Sequence, residues 1–154
     1  MQLYILRHAN ADTEAATDDA RELSEKGHEQ AKKVAQFCVR HGIRPDVIFA
    51  SPLIRAQQTA KPVARELGME VTTAPWLACG ATPEGILGHL AALNDPAAVM
   101  LVGHQPDLGE LIMHLVRGAE GGINVRKASL SLVEVLVLRR GGGCLEFSIP
   151  ARMM

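Results

Sequence analysis

Two histidines directly follow short apolar runs of strand length. Residues 2–6 lead into Arg7 and His8, and residues 98–102 lead through a glycine into His104. Because a polar residue commonly marks the point where a buried strand stops, each histidine is expected at the carboxyl end of a strand. Ligands of open α/β sheets bind at the carboxyl ends of strands, so both imidazoles are expected at one sheet edge.

A third apolar run, residues 46–51, ends at Ser51 and is followed by Pro52 and Arg55. Proline suits the first turn of a helix, which predicts that Arg55 lies on a helix beginning at the same edge. The free backbone N–H groups at such a helix start favour an anion.

Arg7 and Arg55 predict what this edge binds. A guanidinium presents planar pairs of N–H donors that match phosphate oxygens and keep their charge at any ordinary pH. No cysteine or carboxylate cluster lies beside them in the sequence, and a set of arginines and histidines suits an anion better than a divalent metal. We therefore expect a phosphate site without a metal or another cofactor.

The two histidines could play different parts in such a site. A neutral imidazole whose Nδ1–H is held by a backbone carbonyl keeps a free lone pair on Nε2, so His8 could attack phosphorus directly. His104 could donate a hydrogen bond to a phosphoryl oxygen. A single histidine at a strand end is more often structural; the coincidence of two with Arg7 and Arg55 favours catalysis.

The apolar periodicity of the chain predicts alternating strands and helices. Strands are expected at residues 2–6, 46–51, 70–76, 98–102, 129–138 and 145–149. Helices are expected at residues 24–38, 52–67, 83–93 and 106–116, with a loop at 118–122. This order predicts an α/β fold with a largely parallel sheet, closed by an antiparallel hairpin of the last two strands.

Length and composition exclude several classes of protein. The 154 residues are 47% hydrophobic and 21% charged, as expected for one globular domain spanning residues 1–154. A net charge of −1 predicts no general attraction to nucleic acid or to anionic membranes, and the apolar runs are too short to span a bilayer. Three scattered cysteines outside any C-x-x-C pattern and the lack of a leader-like start predict a cytoplasmic protein.

Three segments resemble the histidine phosphatase superfamily, which has the phosphoglycerate mutase-like fold. They are Leu-Arg-His-Ala at 6–9, Ser-Pro-Leu-Ile-Arg-Ala-Gln-Gln-Thr at 51–59 and Val-Gly-His-Gln-Pro at 102–106. The short chain and the segment Arg-Glu-Leu-Ser-Glu-Lys-Gly at 21–27 resemble the SixA type of phosphohistidine phosphatase. The resemblance implies a three-layer α/β/α architecture.

The resemblance also implies roles for individual residues. His8 becomes transiently phosphorylated, Arg7, Arg55 and His104 bind the phosphoryl group, and water completes the hydrolysis. Arg21 is implied as a further phosphate ligand. The substrate implied is a phosphohistidine-bearing protein such as a phosphotransfer domain.

Two departures from the family pattern bear on mechanism. Ala9 replaces the motif glycine, so the turn after His8 must use an ordinary backbone conformation or accept strain. The segment 75–85, where a general acid is sought, contains only Glu84, with Asp107 and Glu110 as more remote options. A missing acid would hamper alkyl phosphate esters more than phosphohistidine, whose imidazole leaving group can already carry a proton.

Other functions remain open at this stage. One is a general phosphomonoesterase or mutase on the same fold, which requires an acid such as Glu84 at the site. Another is a phosphate or phosphohistidine binding module without catalysis. A nucleotide-binding Rossmann domain is disfavoured because Arg7 and His8 stand where its glycine-rich turn would be.

Overall fold

The computed structural model describes residues 1–118 and 122–154. Its strands are β1 (Gln2–Arg7), β2 (Val47–Ala50), β3 (Val71–Thr73), β4 (Ala98–Gly103), β5 (Ser129–Val135) and β6 (Gly143–Pro150). Its helices are α1 (Glu25–Arg40), α2 (Ile54–Leu67), α3 (Pro83–Ala91) and α4 (Asp107–Leu115), and short 3-10 turns occur at Pro75–Leu77 and Ala151–Met153. The loop expected at 118–122 lies largely outside the described residues.

The six strands form one sheet in the order β3-β2-β4-β1-β5-β6. Strands β3, β2, β4 and β1 run parallel, whereas β5 is antiparallel to β1 and β6 to β5. In this register Arg7 pairs with Gly103, and Ala50 pairs with Val102. The three central strands therefore end side by side, and the residues that follow them meet at one edge.

The sheet has a hydrophobic core on each face. Leu3 and Ile5 of β1 pack into the core beneath α3 and α4, while Tyr4 and Leu6 pack into the core beneath α1 and α2. This alternation is what a strand buried on both faces requires, and all six residues of β4 are buried as well. The arrangement confirms the expected three-layer α/β/α fold with a mostly parallel sheet and a terminal hairpin.

Capping residues explain where the helices begin and end. The Ser24 side chain accepts a hydrogen bond from the Gly27 N–H at the start of α1, and Gly68 ends α2 in the left-handed conformation with φ of 68°. The start predicted for α2 at Pro52 was wrong by two residues. Leu53 is still extended, and the Gln57 amide holds the preceding bend by donating to the Ser51 carbonyl at 2.8 Å.

Two strands are shorter than their apolar patterns suggested. Strand β3 ends at Thr73, because Pro75 lacks an N–H for the ladder and begins a 3-10 turn. Strand β5 ends at Val135, beyond which Leu136 is 80% exposed. Across the described residues, no helix combines the length and apolarity needed to cross a bilayer.

Candidate active site

His8 follows the last residue of β1 and is held at both its backbone and its ring. Its N–H donates to the Gly103 carbonyl at 2.9 Å, which continues the β1–β4 ladder by one residue. Its Nδ1 lies 2.8 Å from the Ala9 carbonyl oxygen, which is the expected contact with a backbone carbonyl. Because a carbonyl oxygen can only accept a hydrogen bond, this contact assigns the proton to Nδ1. Burial lowers the pKa of His8 to about 3. The ring is therefore neutral at pH 7 and its Nε2 carries a free lone pair.

Ala9 joins this turn to helix α2. Its N–H donates to Thr59 Oγ1 at 3.0 Å, and the Thr59 hydroxyl in turn donates to the Arg55 carbonyl at 2.7 Å. Ala9 is fully buried and is not among the described residues with positive φ. The alanine at the motif glycine position thus uses an ordinary backbone conformation and needs no strain.

His104 follows β4 and faces His8. The ring centroids are 5.2 Å apart. His104 Nε2 lies 2.7 Å from Ser51 Oγ, while its Nδ1 is buried and has no hydrogen-bond partner in the part of the chain that the structure describes. Burial, followed by the positive charge of Arg55, lowers the pKa of His104 to about 4. This second imidazole is also neutral at pH 7.

Arg7 and Arg55 complete the cluster. Arg7 Nη1 donates to the Val125 carbonyl at 2.8 Å. The Nε atoms of both arginines are buried and have no hydrogen-bond partner within residues 1–118 and 122–154. Arg7 pairs with Gly103, the residue before His104, and both guanidinium charges lower the pKa values of His8 and His104. The structure therefore brings together the four residues that the sequence singled out.

Asp18, which the sequence interpretation missed, bridges two arginines at the edge of this cluster. Arg55 donates to the Asp18 carbonyl at 2.6 Å and to its carboxylate at 2.9 Å, and Arg21 donates to the other carboxylate oxygen at 2.9 Å. The hydrogen bond from Arg21, then the charge of Arg55, lowers the pKa of Asp18. Arg21 and Arg55 thus share one carboxylate, and the Arg21 side chain is partly exposed.

Glu84 lies elsewhere. Its carboxylate is 74% exposed and 3.5 Å from Nδ1 of His114, on a separate cavity of about 360 Å³. In the described part of the chain it contacts none of the four clustered residues, because the first turn of α3 directs it toward α4. The structure therefore does not support Glu84 as the general acid.

The more remote candidate, Asp107, is also engaged. It is buried, and its Oδ2 accepts hydrogen bonds from the N–H groups of Gly80 and Ala81 at 2.8 and 3.2 Å. Those bonds fix the loop before α3. Glu110 lines the same separate cavity as Glu84.

Metal-ligating side chains do not gather at this site. Within residues 1–118 and 122–154, no group of three or more histidine, cysteine or acidic side chains has the spacing of a metal centre. Cys79 Sγ, 3.6 Å from Arg55 Nη2, is the thiol that borders the cluster. The cluster is built of hydrogen-bond donors and is suited to an anion.

Comparison with known proteins places these features in a family. The family model of the histidine phosphatase superfamily (branch 1) matches residues 3–78. The phosphohistidine phosphatase SixA of Escherichia coli K12 is 30% identical over 126 residues, covering 77% of this chain and 76% of that protein. The chain belongs to the histidine phosphatase superfamily. It is a SixA-type member and, as such, a phosphatase.

Two further relatives extend the match. An uncharacterised protein of Picosynechococcus sp. is 39% identical over 140 residues, covering 84% of this chain and 82% of that protein. A solved structure of the protein histidine phosphatase SixA superposes with a TM-score of 0.87 at 24% identity, covering 99% of this chain and 98% of that one. The histidine phosphatase fold thus extends over the whole described chain.

Proposed function

We propose that this chain hydrolyses phosphohistidine on a protein substrate through a covalent phosphohistidine on His8. One observation carries the proposal: three buried nitrogens, Arg7 Nε, Arg55 Nε and His104 Nδ1, have no hydrogen-bond partner among the described residues. Both arginine Nε atoms are N–H donors, and His104 Nδ1 is a donor in the tautomer whose Nε2 accepts from Ser51. A buried donor left unsatisfied costs about 1–3 kcal/mol. A phosphoryl group beside the free Nε2 of His8 would accept hydrogen bonds from all three and so offset this cost.

The relatives support the same substrate class. The Escherichia coli relative is a phosphohistidine phosphatase, and the superposed SixA structure is a complex with tungstate, a tetrahedral oxyanion like phosphate. The proposed partner is therefore a phosphohistidine-bearing protein such as a phosphotransfer domain. Three unbridged thiols, Cys38, Cys79 and Cys144, fit a cytoplasmic location.

The first chemical step transfers the phosphoryl group to the enzyme. The Nε2 lone pair of His8 forms a bond to phosphorus as the P–N bond to the substrate imidazole breaks. The departing imidazole leaves neutral if its other nitrogen already carries a proton, so this step needs no general acid. Arg7, Arg55 and His104 hold the equatorial oxygens and stabilise the charge on them.

The second step regenerates His8. Water attacks phosphorus, the P–Nε2 bond breaks, inorganic phosphate departs and the water proton is released to solvent or phosphate. Throughout, the hydrogen bond from Nδ1 to the Ala9 carbonyl keeps the ring oriented with Nε2 toward the reacting atom. The carbonyl also stabilises the positive charge that the ring acquires while it is phosphorylated.

Two competing functions make different demands on the site. A phosphomonoesterase or mutase must protonate an alkoxide leaving group, and neither Glu84 nor Asp107 is placed for that purpose. A binding module without catalysis has no need of a neutral, buried nucleophile such as His8. Both arguments favour the phosphohistidine phosphatase.

The test compares wild type with His8→Asn, whose amide can still donate to the Ala9 carbonyl. Phosphate release is measured with a chelator present from a chemically phosphorylated histidine peptide, p-nitrophenyl phosphate and a panel of sugar phosphates. We expect the peptide to be preferred, His8→Asn to lose at least about 10³-fold in rate, and a radiolabelled, acid-labile phosphoenzyme in wild type alone. Faster turnover of a sugar phosphate would refute the substrate class, and vanadate binding without turnover of any substrate would indicate a binding module.

A further inference from the structure

A second concave surface adjoins the active site, and positively charged side chains dominate it. This basic groove has a volume of about 570 Å³ and is lined by Arg7, Lys26, Arg126, Lys127 and Arg152 together with neutral residues. Among the described residues, no carboxylate lines it. Since the whole chain has a net charge of −1, this concentration of positive charge is a local feature.

The basic groove is continuous with the phosphate cluster through Arg7. That arginine lines the groove, and its Nη1 is fixed by the carbonyl of Val125, the residue before Arg126. Lys127 Nζ, on the same segment, donates to Asn10 Oδ1 at 2.9 Å, two residues beyond His8. A ligand that occupied both places would extend from the reacting phosphorus directly into the groove.

The cations of the groove are not neutralised by any carboxylate of residues 1–118 and 122–154. In the part of the chain that the structure describes, Lys26, Arg126, Lys127 and Arg152 form no salt bridge with a carboxylate. Burial lowers the pKa of Lys127, and the charges of Arg7 and other nearby cations lower it further. This mutual repulsion costs stability unless an anion relieves it.

The distribution of these charges indicates what the groove binds. They come from the end of β1, the first turn of α1, the segment before β5 and the turn after β6, so they are spread along a surface. Lys26, Arg126 and Arg152 are exposed, as expected for contacts with another macromolecule. No aromatic side chain of the described residues lines the groove, whereas single-stranded nucleic acid sites combine cations with aromatic stacking.

We propose that the basic groove docks a carboxylate-rich surface that flanks the phosphohistidine of the protein substrate. The inference rests on the proposed function, because it assumes that the phosphoryl group arrives on a protein. Acidic residues beside the phosphohistidine would pair with Lys26, Arg126 and Arg152 while the phosphoryl group reaches Arg7. Such pairs at an exposed rim mainly speed encounter and select the partner.

The test uses two chemically phosphorylated histidine peptides that differ only in their flanks, four glutamates in one and four glutamines in the other. We expect wild type to show about tenfold higher kcat/KM for the glutamate peptide at low salt, with the preference shrinking as salt is added. The variant Lys26→Glu/Arg126→Glu/Arg152→Glu should lose or invert the preference. Its hydrolysis of phosphoramidate, which cannot reach the groove, should stay within about twofold of wild type.

A matched control carries the same change in charge elsewhere. Arg44→Glu/Lys61→Glu/Arg139→Glu alters three exposed cations that do not line the groove, and it should keep the glutamate preference. Equal use of both peptides by wild type would overturn the docking proposal while leaving the phosphatase intact. Absence of turnover of either peptide and of phosphoramidate would instead refute the proposed function. Loss of the preference in the control as well would show a response to net charge alone and would also overturn the proposal.

Discussion

The imidazole rings of His8 and His104 lie 5.2 Å apart, and both are neutral at pH 7 although two arginines surround them. Burial is the main cause, because a charged imidazole loses its hydration there. The positive charge that meets a phosphoryl group therefore comes from Arg7 and Arg55, while His8 keeps its lone pair. Nucleophile and anion site coexist because the nucleophile is not itself a cation.

This neutrality predicts how stability depends on pH. The pKa of His8 is about 3 in the folded protein and roughly 6.5 when unfolded, so between these values the unfolded chain binds more protons. The contribution of His8 to the free energy of unfolding is fully present above about pH 6.5 and is lost as the pH falls. About 2 kcal/mol of it is lost by pH 5. Urea unfolding of wild type and His8→Asn at pH 7.5 and 5.0 measures this difference.

His8→Asn should lose less stability than wild type between the two pH values. The control is His28→Asn, an exposed position on α1, which should lose as much as wild type. If His8→Asn lost as much as wild type on acidification, the folded-state pKa of His8 would not be depressed.

Ser51 is predicted to position His104. Its Oγ accepts from the Leu53 N–H at 3.4 Å and lies 2.7 Å from His104 Nε2. We infer that the hydroxyl donates to Nε2, because this leaves the proton of His104 on Nδ1, where it can meet a phosphoryl oxygen. This contact favours the tautomer that carries its proton on Nδ1, the nitrogen left without a partner. Ser51→Ala should weaken competitive inhibition by vanadate about tenfold by releasing that tautomer.

A second buried serine provides the control for this prediction. Ser131 is fully buried and bonds Ser148 across β5 and β6. Ser131→Ala should lower the free energy of unfolding but leave vanadate inhibition unchanged. Equal vanadate inhibition of Ser51→Ala and wild type would exclude a positioning role for the hydroxyl.

The elements that position the site were predictable because their signals are local. Ser24 and Gly68 mark helix ends by their side-chain and backbone chemistry, and the apolar runs before His8 and His104 mark strand ends. The convergence of the two histidines then follows from parallel pairing, in which neighbouring strands end at one edge.

The remaining features depend on tertiary contacts. Asp18 lies in a polar segment without periodicity, so no local pattern could indicate that its carboxylate joins Arg21 to Arg55. The direction of Glu84 depends on how α3 packs against α4, which brings it to His114. Leu136 continues an apolar run and yet is exposed, because β5 ends at Val135 and Leu136 is the first residue of the connection to β6.

Ala9 is predicted to be a better residue at its position than the glycine of the family motif. It is fully buried and lacks a positive φ, so glycine would gain nothing in the folded state and would increase the entropy of the unfolded chain. Ala9→Gly should lower the free energy of unfolding by about 1 kcal/mol with phosphatase activity within twofold of wild type. A more stable Ala9→Gly variant would reveal strain at this turn.

Glu84 is predicted to be dispensable for catalysis. Its exposed carboxylate contacts His114, on a cavity lined by none of the clustered residues. Glu84→Gln should therefore hydrolyse the phosphohistidine peptide at a rate within about twofold of wild type. A loss of 100-fold or more, confined to substrates with alkoxide leaving groups, would instead identify Glu84 as a general acid that moves into the site.

Asp18 is predicted to compete with the substrate for Arg55. Its carboxylate accepts from Arg55 at 2.9 Å, at a guanidinium that a phosphoryl group would also need. Because the Asp18 side chain is 61% exposed, its charge is screened by solvent and a phosphoryl group can displace it from Arg55 readily. Asp18→Asn keeps the size of the side chain and removes its charge, so inorganic phosphate should inhibit this variant about two- to fivefold more strongly than wild type.

The neighbouring Asp19 separates this effect from a general change in charge. It is exposed in the same loop. Among the described contacts, its carboxylate accepts no hydrogen bond from Arg21 or Arg55. Asp19→Asn should therefore leave phosphate inhibition near the wild-type value, since an exposed charge at a distance is screened by salt. Weaker inhibition of Asp18→Asn than of wild type would show the opposite relationship, in which the carboxylate orients Arg55 for the phosphoryl group and the loop that carries it is part of the binding site.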